Sequence, residues 1–179
     1  AKRVDTTGAG DAFCAGADLK ERRGMDDAAK VAHNRAINAA VDALHAQWHD
    51  FVPWANRQKI VARYQDALAG GQLFPQVWMA EDAQSRLLGS ASVKEYDLNY
   101  HEAARYWLGD VFVLPEHRGC GAGKVLVHTA IDFARAQGVQ QLYLYTPDMQ
   151  NLYERYGWRR IDERWVNGET VSIMLMDIV

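Results

Sequence analysis

In 179 residues, 20 Lys and Arg stand against 23 Asp and Glu, a net charge of −3, and 49% of positions are hydrophobic. That balance fits one globular domain and carries no polybasic tract, which argues against nucleic acid held by phosphate neutralisation and against an anionic membrane surface. A small ligand is the default partner.

No window approaches about eighteen uninterrupted apolar residues, and no basic region, apolar stretch and cleavage site open the chain, so no segment is expected to cross a membrane. Cys14 and Cys120 stand far apart without a CxxC neighbour. They suggest neither a disulfide framework nor a zinc knuckle and suit a reducing, cytoplasmic setting. The chain opens on Ala1 rather than Met, as expected of a processed, trimmed or engineered chain.

From Asp26 to about His49, Ala28, Ala29, Val31, Ala32, Ala36, Ala39, Ala40, Ala43 and Leu44 recur at helical spacing behind Asp26 and Asp27, which predicts a long amphipathic helix ending near Pro53. A second helix is predicted from Asn56 to Ala69, stopped by Gly70-Gly71. The period then changes to two. Gln76–Ala80, Leu87–Tyr96 and Tyr106–Leu114 read as an antiparallel meander, with a turn at Glu81–Ser85. A helix from Ala122 to Gly138 should turn Val125, Leu126, Thr129, Ala130, Phe133 and Ala134 inward. Gln141–Tyr145 is the next strand, Asp148–Tyr156 a short helix, and Trp158–Val166 and Glu169–Asp177 flank Asn167-Gly168, a strong hairpin signal.

The chemistry-bearing stretch is Val111-Phe112-Val113-Leu114-Pro115-Glu116-His117-Arg118-Gly119-Cys120-Gly121-Ala122-Gly123-Lys124: a strand, a turn and a glycine-rich entry into a helix. Glycines let the backbone approach an anion closely, and the unpaired N–H groups of a first helical turn point at it. It is not a Walker loop, because Val125 replaces the hydroxyl residue and Gly119 lies one position too close to Gly123-Lys124.

The spacing Arg118-x-x-Gly121-x-Gly123 matches the R/Q-x-x-G-x-G/A pattern of the GNAT acyltransferases, and Tyr153-Glu154-Arg155-Tyr156-Gly157-Trp158 looks like that family's Y-x-x-x-G-[FW] element. Trp107, Val111 and Val113 resemble its fourth strand. The resemblance covers residues 45–179. It implies an α/β fold of the α+β type: a central, mostly antiparallel mixed sheet flanked by helices and closed by a C-terminal β-hairpin. It further implies an acetyl-CoA-dependent N-acetyltransferase acting by direct attack of a small-molecule or peptide amine, with no metal. The pyrophosphate of acetyl-CoA, a co-substrate, would lie on Arg118, Gly119, Cys120, Gly121, Ala122, Gly123 and Lys124, and pantetheine along Val111, Phe112 and Val113. A strand N–H would polarise the thioester carbonyl, and Tyr153 would protonate the departing thiolate. Thr146 stands where many relatives carry a cofactor-contacting Asn.

The attacking amine must be neutral, so a base or a water chain is needed. Asp110 and Glu95 rank first, before Asp97 and His101. Trp54, Tyr96, Tyr100, Tyr106 and Trp107 either line an acceptor pocket shaped by the Asp97–Arg105 loop or belong to core and rim. His45 and His49 have the spacing of a helical zinc pair, yet HAQWH lacks the Glu of HExxH and no third ligand is evident, so no metal site is expected. Exposed strand edges and the closing hairpin suit a homodimer.

Residues 1–44 read as a strand–helix segment of foreign appearance, packed on or completing the main domain of residues 45–179. Asp5-Thr6-Thr7-Gly8-Ala9-Gly10-Asp11-Ala12-Phe13 resembles the DTTGAGDAF element of ribokinase-like sugar kinases, in which Gly8–Gly10 would form an anion hole and Asp11 the base. FCAGADLKE more weakly resembles a crotonase stretch, with Ala17 as an oxyanion donor. Only four residues precede the kinase-like motif, so a truncated sugar-kinase remnant, a fusion fragment and an engineered chimera without activity all stay open. Lys2–Thr6 is the candidate for the domain's first strand. A non-catalytic acyl-CoA-binding module is the remaining alternative.

Overall fold

The computed structural model describes residues 73–84 and 86–178, the backbone of a strand at 12–16, and the single positions 42, 57, 58, 61 and 62. Four strands, β1 (Ala12–Gly16), β2 (Gln76–Asp82), β3 (Leu87–Glu95) and β4 (Tyr106–Val113), form an antiparallel run. Helix α1 (Ala122–Ala136) then crosses to β5 (Gln141–Thr146), which lies parallel to β4, as a crossover of that length permits. Helix α2 (Gln150–Arg155) leads into the hairpin of β6 (Arg159–Val166) and β7 (Glu169–Asp177). The order across the seven-stranded sheet is β1-β2-β3-β4-β5-β7-β6. This is the mixed, mostly antiparallel sheet with a terminal hairpin that the sequence implies.

Local chemistry accounts for the boundaries. Asn167 and Gly168 both take positive φ, 51° and 97°, the conformation of a two-residue type I′ turn, and pair Val166 with Glu169. Helix α1 ends before Gly138, whose φ of 72° lets the chain reverse, and the N–H of Val139 caps the Ala134 carbonyl. The expected turn at Glu81–Ser85 begins later, because β2 continues to Asp82. Asp82 builds the turn itself: its carboxylate accepts from the backbone N–H groups of Gln84 and Arg86.

The two faces of the sheet carry separate cores. Against α1 and α2 lie Trp78, Ala91, Val93, Leu108, Leu142, Leu144 and Met174, joined by Leu126, Val127, Ala130, Ile131 and Ala134 of α1. Each large apolar side chain buried this way contributes about 1.5–3 kcal/mol. Val125, Thr129 and Phe133, expected inward, are only half-buried, while Val127 and Ile131 are buried. The helix faces the sheet along the 126–130–134 line, and Phe133 leans over its flank to meet Phe74 and Trp78 edge-on at 5.8 and 5.1 Å. On the opposite face Trp107, Tyr143, Val171, Ile173 and Leu175 pack under Leu98 and Tyr100 of the β3–β4 loop.

The strand that completes the sheet beside β2 is Ala12–Gly16 rather than Lys2–Thr6: it takes the edge of β2 that β3 leaves open, with Ala12 opposite Asp82 and Gly16 opposite Trp78. Lys2–Thr6, the kinase-like residues Thr6–Asp11, Trp54, His45 and His49 lie outside the described residues. So do the two N-terminal helices, except that Asp42, Arg57, Gln58, Val61 and Ala62 are helical and Arg57 Nε donates to Asp42 at 2.6 Å. Among the described residues no helix is long and apolar enough to cross a membrane, and no cluster of three His, Cys, Asp or Glu is placed to hold a metal.

Candidate active site

Strands β4 and β5 begin together and diverge. Among the described residues they pair at one position, Trp107 opposite Tyr143, whose rings lie 5.3 Å apart. Beyond it the two central strands separate towards their C-terminal ends, and the glycine-rich turn follows β4 directly at the open end.

That turn is built to expose backbone. Arg118 folds back, its Nε donating to the Val113 carbonyl at 3.1 Å. Gly119 and Gly121 take φ of 79° and 91°, which side chains disfavour. Gly121 is the N-cap of α1 and brings no side chain to cap it, which leaves the first-turn N–H groups and the positive end of the helix dipole for another acceptor. A β-carbon on Gly123 would come within 3.3 Å of Val113 Cγ2, so glycine there lets the helix start close against β4. Ala122 is buried beneath the turn, while Arg118, Gly119, Cys120 and Lys124 are exposed. Exposed helical N–H groups with cationic side chains on the same turn have the chemistry to receive a phosphate-bearing ligand.

Tyr153, on α2, shares the α1-side core with Ala122, Val111 and Val113 and is 8% exposed. Burial pushes its phenol up to about 12, with the neighbouring Tyr156 and Asp148 adding to the effect. Gly157, at φ 98°, turns the chain against Met176 so that Trp158 reaches the Tyr153 ring. Thr146 is buried and spends its hydroxyl locally: Oγ1 accepts from Met149 N–H at 3.1 Å, closing the turn into α2.

The carboxylates lie differently. Asp110 and Val111 together face the single residue Ala91, because Ser90 pairs with Phe112 and Ser92 with Gly109. The extra residue is a β-bulge, and Asp110 takes φ 52° to make it. The bulge resets the alternation, so that Leu108 before it and Val111 and Val113 after it all reach the α1-side core. Two buried serines hold it. Ser90 Oγ donates to the Asp110 carbonyl at 3.0 Å, and Ser92 Oγ lies 2.8 Å from Asp110 Oδ2 and 3.1 Å from the Gly109 carbonyl. Asp110 is also ion-paired: Lys94 Nζ is 3.2 Å from its Oδ1 and 2.8 Å from Asp97 Oδ2. Glu95 accepts from Arg105 Nε at 2.8 Å, clamping the base of the β3–β4 loop. His101 is exposed and packs against Tyr100 and Tyr143.

Thus one junction brings together Val111–Val113 and Arg118–Lys124, with Tyr153 in the core beside it. Asp110, Glu95 and His101 belong to the β3–β4 side, Asp110 and Glu95 each engaged by a cation. Trp107, one of the pocket aromatics, is fully buried and donates its indole N–H to Ala104, which makes it core, whereas Tyr96 is exposed. Sequence reading passed over Lys94, Ser90, Ser92 and Gly109.

The junction and the sheet order have counterparts in known proteins. Spermidine N(1)-acetyltransferase of Vibrio cholerae is 28% identical over 112 residues, 57% of this chain and 62% of that protein. Streptothricin acetyltransferase of Streptomyces lavendulae is 32% identical over 98 residues, 52% of this chain and 50% of that protein. The chain thus spans half to about three-fifths of these two relatives' length. Among solved structures, the Salmonella typhimurium protein yncA with its cofactor acetyl-CoA superposes with a TM-score of 0.64 at 17% identity, covering 94% of each chain. A GNAT-family acetyltransferase from Staphylococcus aureus Mu50 gives 0.63 at 16% identity, over 94% of this chain and 99% of that one. At those identities the likeness is one of fold. The family model of the GNAT acetyltransferases matches residues 37–158, and the chain belongs to that family.

Proposed function

We propose that this protein transfers an acetyl group from acetyl-CoA to a primary amine of a small molecule or peptide, by direct attack of the amine on the thioester. The observation that carries the reading is the junction of the diverging β4 with the glycine turn, which offers uncapped helical N–H groups to a pyrophosphate and an open strand edge to an amide-bearing arm. Acetyl-CoA presents both chemistries. The relatives named for acetylating spermidine and streptothricin support an amine as acceptor.

In this mechanism backbone N–H groups of β4 near the bulge receive the thioester oxygen, and hydrogen bonds that strengthen as charge develops there lower the barrier. Tyr153, protonated at neutral pH as a phenol is, gives its proton to the departing thiolate. Asp110 and Glu95 are already engaged by Lys94 and Arg105, so the proton of the attacking amine leaves along a water chain past them.

Those ion pairs also favour a second reading, an acyl-CoA-binding module without turnover. Calorimetric titration with acetyl-CoA, with ATP beside it, followed by thiol release against a panel of amines, separates the readings. Binding with turnover supports acetyl transfer, and saturable binding without turnover supports the module. ATP binding without acetyl-CoA binding would return the argument to the kinase-like segment.

A further inference from the structure

We infer that Lys94 is a positioning residue, a buried clamp that ties the β3–β4 loop to the β4 bulge and so couples acceptor placement to thioester activation. The inference rests on the acetyl-transfer reading above. A lysine 4% exposed in the middle of a sheet is costly unless its charge is matched. Here the ammonium spans two carboxylates that begin different parts of the site: Asp97 opens the loop that lies over Trp107 and Tyr143, and Asp110 is the bulge residue itself.

The sequence around the clamp makes room for it. A β-carbon at Gly109 would meet Lys94 Cε at 2.6 Å and Nζ at 2.7 Å, so glycine there leaves room for the lysine to lie across β4 in this position. Asp110 holds a backbone conformation that L residues avoid. It is secured from three directions, by the Ser90 hydroxyl on its carbonyl, the Ser92 hydroxyl on one carboxylate oxygen and the Lys94 ammonium on the other. The loop is fixed at its far side too, where the Tyr100 hydroxyl donates to Asp162 on β6 at 3.1 Å. Arg105–Glu95 holds the base of the loop and Tyr100–Asp162 its middle, while the Lys94 bridge is what ties its Asp97 end to the bulge.

The test compares Asp97→Asn, Asp110→Asn and Lys94→Met in the full chain, by steady-state kinetics with an amine the parent protein acetylates and by amide hydrogen exchange. Asp97→Asn is expected to raise the amine KM about tenfold with kcat nearly unchanged, and Asp110→Asn to lower kcat about tenfold with KM nearly unchanged. Lys94→Met, which keeps the Asp110 carboxylate, should show both effects, and adding Asp97→Asn to it should raise KM no further. It should also speed exchange at both 97–104 and 110–112. Should Lys94→Met fail to fold, the two isosteric Asn variants decide the matter. Variants that leave both constants within about twofold overturn the clamp, as does a kcat loss that vanishes once rates are normalised to folded protein, because unfolding lowers kcat and leaves KM alone. So does faster exchange confined to one segment. No turnover by the parent protein with any amine removes the acetyl-transfer reading and the clamp's catalytic meaning with it, whereas turnover with unpartitioned variants removes the clamp alone.

Discussion

Tyr153 meets Trp158 edge-on, ring centroids 5.7 Å apart at 72°, and this contact holds the phenol in the core beside Val111 and Val113. Tyr153→Phe keeps that packing and deletes only the acid. We expect kcat to fall about a hundredfold or more while the Kd for acetyl-CoA, measured by calorimetry, changes little. An unchanged kcat would remove Tyr153 from the proton-donor role.

The same burial sets a stability signature at high pH. With its folded value raised from 10 to about 12, Tyr153 binds its proton more tightly in the folded state. Its stabilising contribution is therefore complete below pH 10 and is lost as pH rises through about 12, a change of about 3 kcal/mol. Tyr100 and Tyr143 are raised too, so the difference between parent and Tyr153→Phe in denaturant unfolding from pH 9 to 12 isolates the residue. The parent should lose more stability over that range.

Gly121→Ala places a β-carbon on a residue at φ 91°. Backbone strain of about 1–2 kcal/mol follows, and the side chain crowds the uncapped N–H groups. Acetyl-CoA affinity should weaken about tenfold, with a lower Tm. Gly168→Ala, equally strained at φ 97° but in the distal hairpin, should lower Tm and leave affinity unchanged.

Gly89 lies so close to β4 that a β-carbon there would run into the carbonyl oxygen of Phe112. Gly89→Ala should separate β3 from β4 next to the bulge and cost about 3 kcal/mol, read by chemical denaturation. A near-neutral effect would mean that β4 shifts its register easily.

Cys120 is exposed on the glycine turn, and its Sγ lies 2.8 Å from the His117 carbonyl. A bulky maleimide attached there should block acetyl-CoA binding, prior saturation with CoA should slow the labelling, and Cys120→Ala should bind acetyl-CoA normally and resist the reagent. Loss of binding in Cys120→Ala as well would mean that the thiol itself is needed.

The features legible in the sequence are those enforced by local backbone chemistry. Asn167-Gly168 and Gly119-x-Gly121 announce themselves because positive φ demands such residues. The bulge was not legible: one surplus residue at Asp110 or Val111 leaves no local mark. Only the partner strand, through the pairing of Ser90 with Phe112 and Ser92 with Gly109, reveals it. Lys94 escaped for a related reason. A lysine in an alternating strand reads as a solvent-facing residue, and its two carboxylates arrive from a loop and from the neighbouring strand. Asp110 and Glu95 were visible as carboxylates near the site, but their cation partners were not. Lys2–Thr6 alternates only weakly, and the edge of β2 is taken by Ala12–Gly16.

The single pairing between Trp107 and Tyr143 makes the sheet two leaves joined along a short seam. In most sheets the innermost strand is the best protected, since both of its hydrogen-bonding edges are occupied. Here the innermost strand is sealed towards β3 and open towards β5 past the seam, so its successive amides alternate between guarded and accessible. A bound chain with amide groups of its own would dock into this open edge as a strand does, and the protein would complete its most central layer with atoms that it does not encode.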